Sequence, residues 1–299
     1  MLSAIETGLG RGLVIPYLGP GVLALAREGA SVPASPEELV GHLTTLATVP
    51  HKIRNNLTAA AQYIENFKHR KTIVAAMAKA YAHPTEPSGL HRWLAARPQL
   101  PLLVHAWYDD LPQKALAVRG NWGQAQGVSQ AEHFGYWVDY FRPDGSMVTK
   151  KAFVQDGSGA KAPAEAPTET LAWDTLLYQP LGSVTPAANY IISDSDYVEV
   201  LTEIDIQTPI PEVVQSLRKG RNFLFLGCRF ATQLERNFAR QIMKRSSDVH
   251  WAVIDGALTK NEAKFLKEQN IERIDMPLAE FVSQLTDGAA SVKTAEAAA

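Results

Sequence analysis

The feature that most constrains this chain is a recurrence: short apolar runs that stop at a small or polar residue, separated by stretches of helical periodicity. The runs are Leu13 to Leu18, Leu102 to Ala106, Tyr190 to Ile192, Phe223 to Leu226, Trp251 to Ile254 and Ile271 to Ile274. Runs this short suit strands buried on both faces better than helices. Within 231–245, Leu234, Phe238 and Ile242 recur every fourth residue, which stacks them on one side of a helix. Thr259 and Glu262 have the spacing of a capping box, so a helix from Asn261 to Gln269 leads into the last run. Strands alternating with helices predict an α/β fold: a Rossmann-like, mostly parallel sheet with helices on both faces. Ligands of such sheets sit outside the carboxyl ends of the strands.

Two insertions interrupt the alternation. From Ser35 to Arg97 the pattern is helical, opening on Ser35-Pro36-Glu37-Glu38 with an N-cap, a first-turn proline and a capping glutamate. Thr58 to Phe67 and Thr72 to Tyr81 continue it with amphipathic spacing. The second insertion, with its linker, covers about 119–170. There, Phe134 to Val154 reads as a β-hairpin around Pro143-Asp144-Gly145, and Gly157 to Thr168 as a Gly-, Ala- and Pro-rich linker. The expectation is one domain over 1–285 and an Ala-rich, disordered tail over 286–299.

Composition narrows the classes of function. One cysteine, Cys228, in 299 residues excludes an internal disulfide framework and a Cys-rich zinc site, which suits a reducing compartment, the cytoplasm. A net charge of -2 lacks the footprint of a nucleic-acid binder. No apolar run is long enough to span a membrane, and the first residues lack the basic start of a secretory signal. His83, His91, His133 and His250 show no metal-ligand spacing, and neither a nucleophile elbow nor an ATP-type phosphate loop is present.

The candidate ligand-binding residues begin where the first strand meets Gly19-Pro20-Gly21-Val22. Glycines there let backbone amides approach a pyrophosphate, although Pro20 removes one donor; a tight turn without ligand is the alternative. Four pieces follow in order: Trp107-Tyr108-Asp109-Asp110, Tyr178-Gln179-Pro180-Leu181-Gly182-Ser183-Val184, Ile192-Ser193-Asp194-Ser195-Asp196-Tyr197, and Phe225-Leu226-Gly227-Cys228-Arg229-Phe230. In this order, over about Leu13 to Leu285, the chain resembles the sirtuin-like family of NAD-consuming domains, in particular its zinc-free prokaryotic branch.

The resemblance implies a dinucleotide ligand, NAD or the related NADP or ADP-ribose, and no metal. It places the cofactor against Gly19, Pro20, Gly21, Val22, Trp107, Tyr108, Asp109, Gly182, Gly227, Cys228 and Arg229. It also exposes two departures. Trp107 stands where the family has its asparagine, and Leu181 where it has its catalytic histidine. Leucine carries no titratable group, and indole cannot act as a base near neutral pH. Asp109 is left as the polar candidate for catalysis.

Each candidate also has a structural reading. Arg229 could hold a phosphate, or pair with Glu235 on the next helix. Cys228 reads as an inert buried thiol, His105 as a buried histidine with a structural hydrogen bond, and Asp194 and Asp196 as helix-capping carboxylates. Three functions follow: a catalytically degenerate dinucleotide sensor or regulatory module, an NAD glycohydrolase cleaving the nicotinamide–ribose bond, or an assembly protein that keeps the fold without a ligand. For the last, Phe134, Tyr136, Trp137, Tyr140 and Phe141 are candidate contacts for a protein partner or a second copy.

Overall fold

The computed structural model describes residues 1–26, 32–129, 137–148, 168–203 and 210–286. Its strands are β1 (Val14–Leu18), β2 (Leu102–His105), β3 (Trp122–Gly127), β4 (Val138–Phe141), β5 (Thr175–Gln179), β6 (Gly182–Ser183), β7 (Asn189–Tyr190), β8 (Asn222–Leu226), β9 (His250–Val253) and β10 (Ile271–Ile274). Eight of them form one sheet in the order β10-β9-β8-β1-β2-β5-β3-β4, while β6 and β7 pair separately. Every neighbouring pair in the large sheet is parallel except β3 with β4. The chain builds outward from β1 on the β2 side and returns on the other with β8, so the direction of winding reverses at the β1–β8 boundary. In open α/β sheets that boundary is where loops diverge and a crevice forms.

The fold follows from alternation of side chains along buried strands. On β1, Ile15 and Tyr17 join one apolar cluster while Val14 and Leu18 join the other; on β8, Phe223 and Phe225 oppose Leu224 and Leu226. The helices Pro36–Thr44, Leu57–Lys68, Arg70–Ala80, Gln233–Met243 and Lys260–Glu268 cover the first face through Leu39, Ile64, Met77, Phe238 and Phe265. Leu2–Gly10, Gly89–Ala95 and a last helix over 278–286 cover the second through Ile5, Leu94 and Phe281. The α/β, mostly parallel architecture with helices on both faces is therefore as expected.

Between β1 and β2 lie the helices Pro36–Thr44, Leu57–Lys68, Arg70–Ala80 and Gly89–Ala95. The side-chain caps read at Ser35 and Thr259 are formed, but the Glu38 carboxylate accepts Ala34 N–H and does not reach back to Ser35 N–H. Ser35 Oγ accepts from Glu38 N–H, and Thr259 and Glu262 cap each other's backbone N–H groups. Thr232 and Glu235 do the same at the start of Gln233–Met243. Of the hairpin, β4 and its turn are described: Arg142 N–H donates to Ser146 O, and Val148 N–H to Tyr140 O. The returning segment beyond Val148 and most of the Gly157 to Thr168 linker lie outside the described residues, as do His133, Phe134, Tyr136 and the tail from Asp287. Tyr140 and Phe141 are buried on the sheet.

Two expectations need correction. The run Tyr190 to Ile192 is not a sheet strand; only Asn189–Tyr190 is extended in pairing, against Gly182–Ser183. Two interior strands, β3 and β5, come from segments outside the runs singled out above. β3 reads Trp-Gly-Gln-Ala-Gln-Gly, with amides where a buried parallel strand ordinarily carries aliphatics.

Candidate functional site

The two glycine corners meet, as the motif order suggested. Gly19 N–H donates to Leu226 O at 2.8 Å and Gly21 N–H to Gly227 O at 3.0 Å. A Cβ on Gly19 would lie 2.6 Å from Cys228 Sγ, and one on Gly227, where φ is +66°, would lie 2.5 Å from Val22 N. The glycines thus permit backbone to lie on backbone at the switch point. Val22 N–H in turn bonds Gly19 O within the short 3₁₀ helix Pro20–Leu25. The Gly19, Gly21 and Val22 amides are therefore each paired inside the protein.

Beyond β2, Trp107 turns into the cluster beneath the helical insertion. It is 3 % exposed, its indole N–H donates to Pro33 O at 2.9 Å, and its ring lies 5.0 Å from that of Tyr108. Tyr108 Oη donates to Ile191 O at 2.9 Å. Asp109 is buried with both oxygens engaged: Oδ1 accepts Leu111 N–H at 3.1 Å, and Oδ2 lies 3.1 Å from His105 Nε2. Burial pushes its carboxyl up, but His105, His91 and the Leu111 amide outweigh it and hold the group below the usual carboxylate range. His105 follows Leu103 by two positions and so shares its face, whereas Trp107 packs in the cluster of Val104. The histidine therefore does not stand in for the missing base beside Trp107.

The Leu181 segment is joined directly to this one. Leu181 is buried and its carbonyl accepts Ile191 N–H; Gly182, at φ +78°, would carry a Cβ 2.0 Å from Asn189 O. Ser183 Oγ donates to Tyr108 O and Asp109 O, and Val184 N–H donates to Tyr108 O. The segments that carry Trp107 and Leu181 are thus hydrogen-bonded to each other, and both side chains are buried.

On the β8 side, burial pushes the Cys228 thiol well up, which leaves it protonated and unreactive at neutral pH. Arg229 pairs with Glu262 (Nε to Oε1, 3.2 Å) and donates to Asp255 O and Ala257 O at 2.6 Å each. Glu235 is not its partner, since that carboxylate caps Thr232. Phe230 sits at φ +59° with its ring buried against Phe225 and Phe265. An aromatic residue in the left-handed region is strained and persists only where packing fixes it.

Other polar residues dock the insertion. Asp196 accepts the Ile192 and Ser193 N–H groups and pairs with Arg70 at 2.8 Å; Asp194 accepts from Thr58, and Gln62 accepts Ser195 N–H. The two aspartates sit at the helix start as expected. Arg70 and Gln62, their partners from the insertion, carry no sequence signal beyond their place on amphipathic helices. Burial drives the His91 and His250 imidazoles down to about 4. His91 Nδ1 lies 2.8 Å from Ser88 Oγ, and His250 Nδ1 accepts Phe223 N–H. Among the described residues no group of His, Cys, Asp or Glu could hold a metal, and no helix is long and apolar enough to cross a membrane.

The family model of the SIR2-like domain matches residues 101–274, and the chain belongs to that family. No curated protein matches it. Membership implies an NAD-related ligand. The arrangement described above does not fit the pyrophosphate of such a ligand: the loop amides and the Arg229 fork already have protein partners.

Proposed function

We propose that this chain is a catalytically silent SIR2-like module, a regulatory or sensor domain and not an NAD glycohydrolase. The observation that carries the reading is the state of the two positions where the family chemistry resides. Trp107 is buried and tied to Pro33 O, and Leu181 is buried as well. Neither can act as a general acid or base, and the adjacent Asp109 has both carboxylate oxygens engaged, by Leu111 N–H and His105. No chemical step is assigned to the site.

A dinucleotide such as NAD, NADP or ADP-ribose is then a ligand of an open form, in which Trp107 has left Pro33 and amides of the Gly19 loop are free. Binding shifts the population only by its preference for that form, which is the logic of a sensor. Calorimetric titration with each of the three nucleotides tests this. We expect weak heats for the native chain and tighter binding by Trp107→Ala, because that change removes the side chain holding the closed form. Equal affinities in the two proteins would overturn the sensor reading. Absence of heat in both would support a scaffold that keeps the fold without a ligand, a reading favoured by the Gly19 and Gly21 amides being bonded to β8 carbonyls.

A further inference from the structure

Polar side chains of four adjacent strands form a row on the second face of the sheet, at the carboxyl ends of β2, β5 and β3 and the amino end of the antiparallel β4. Gln126 is in register with Gln179 of β5 and with Asp139 of β4, and His105 of β2 comes abreast of Gln179, one step beyond the Val104–Tyr178 pair. Apolar side chains precede them on the same face, Trp122 on β3 and Leu177 on β5. Gln113, from the helix Leu111–Leu116, closes over the row. Gln179 is 0 % exposed, Gln126 1 % and Gln113 9 %.

The amide orientations in this row are dictated by one carbonyl. Thr185 O, which can only accept, lies 2.7 Å from Gln126 Nε2 and 3.3 Å from Gln113 Nε2. Reversing Gln126 would set oxygen against oxygen. Both nitrogens also reach Gln179 Oε1, at 2.9 and 3.1 Å, which fixes Gln179 in turn. Ser183 Oγ and Gln124 Oε1 provide further acceptors. With that pattern set, Gln113 Oε1, Gln126 Oε1, Gln179 Nε2 and His105 Nδ1 are buried without a protein partner.

We propose that this row is an internal hydration site, in which ordered water donates to Gln113 Oε1 and Gln126 Oε1 and accepts from Gln179 Nε2. A cation would leave the Gln179 N–H groups unmatched, and an anion would oppose the two oxygens. Neutral molecules that both donate and accept suit these atoms, and the close packing favours the smallest, water. The site lies behind the Tyr108–Asp109 and Ser183–Val184 junction, so its water braces the corner on which the Leu181 segment rests.

Oxygen-17 relaxation dispersion on the whole chain counts long-lived internal waters. We expect Gln126→Leu to retain at least one fewer than the native protein; an unchanged count in a folded Gln126→Leu would overturn the proposal. A high-resolution crystal structure of the native chain decides the matter even if that variant does not fold. Density within hydrogen-bonding distance of the three amide atoms supports the site, and the same atoms turned onto protein partners would refute it.

Discussion

At the scale of single residues, the switch point depends on a conformation that few side chains can adopt. Gly227→Ala combines a left-handed φ with a Cβ 2.5 Å from Val22 N, so we expect a loss of about 1–3 kcal/mol or more, measured by denaturant unfolding. Stability also depends on pH. The His91 and His250 imidazoles titrate near 4 when folded and near 6.5 when unfolded. Between those values the unfolded chain binds protons that the native chain refuses, so stability falls as the pH drops through that window, by up to about 1.4 kcal/mol per pH unit for each histidine. His91→Gln and His250→Gln should each flatten that slope in urea titrations at pH 4 to 7. Two residue roles were legible in the sequence: the buried thiol of Cys228 and the capping by Asp196. The partner of Arg229 was not, because Glu262 lies on a different helix brought near only by β9 and the turn after it.

At the scale of elements, legibility followed the strength of the local chemistry. Capping boxes are complete within four residues, so Thr259 and Glu262 announced their helix before any tertiary contact was known. Thr259→Ala should cost about 1 kcal/mol in thermal or urea unfolding, the ordinary worth of such a cap. β3 stayed hidden for the converse reason. Its glutamines are buried by a polar network assembled from β5, the Leu111–Leu116 helix and the Thr185 carbonyl, and strand periodicity carries no trace of such partners. β7 misled because the Tyr190 to Ile192 run is apolar for another purpose: these residues pack beneath the insertion and against Tyr108. The insertion itself is fastened through Arg70. Arg70→Ala leaves the buried Asp196 carboxylate without its cation, so hydrogen exchange over the helices Leu57–Lys68 and Arg70–Ala80 should accelerate while the strands of the sheet stay protected.

For the whole molecule, the order of the motifs along the chain carried the family, and the sheet topology explains why order sufficed. The motifs at Gly19, Trp107, Tyr178 and Gly227 each lie at the carboxyl end of a strand of the large sheet, and the parallel strands and the reversal of winding at β1 and β8 bring those ends to one edge whatever their separation in sequence. What no sequence pattern revealed is how the meeting point is filled. The loops lie on each other, Trp107 reaches across to Pro33, and Leu181 is buried. In the function proposed above, the fold is kept while the cleavage chemistry is lost. Incubating the purified chain with NAD and measuring released nicotinamide tests this most directly. We expect release no faster than in buffer alone, and catalytic turnover by the native protein would contradict the account.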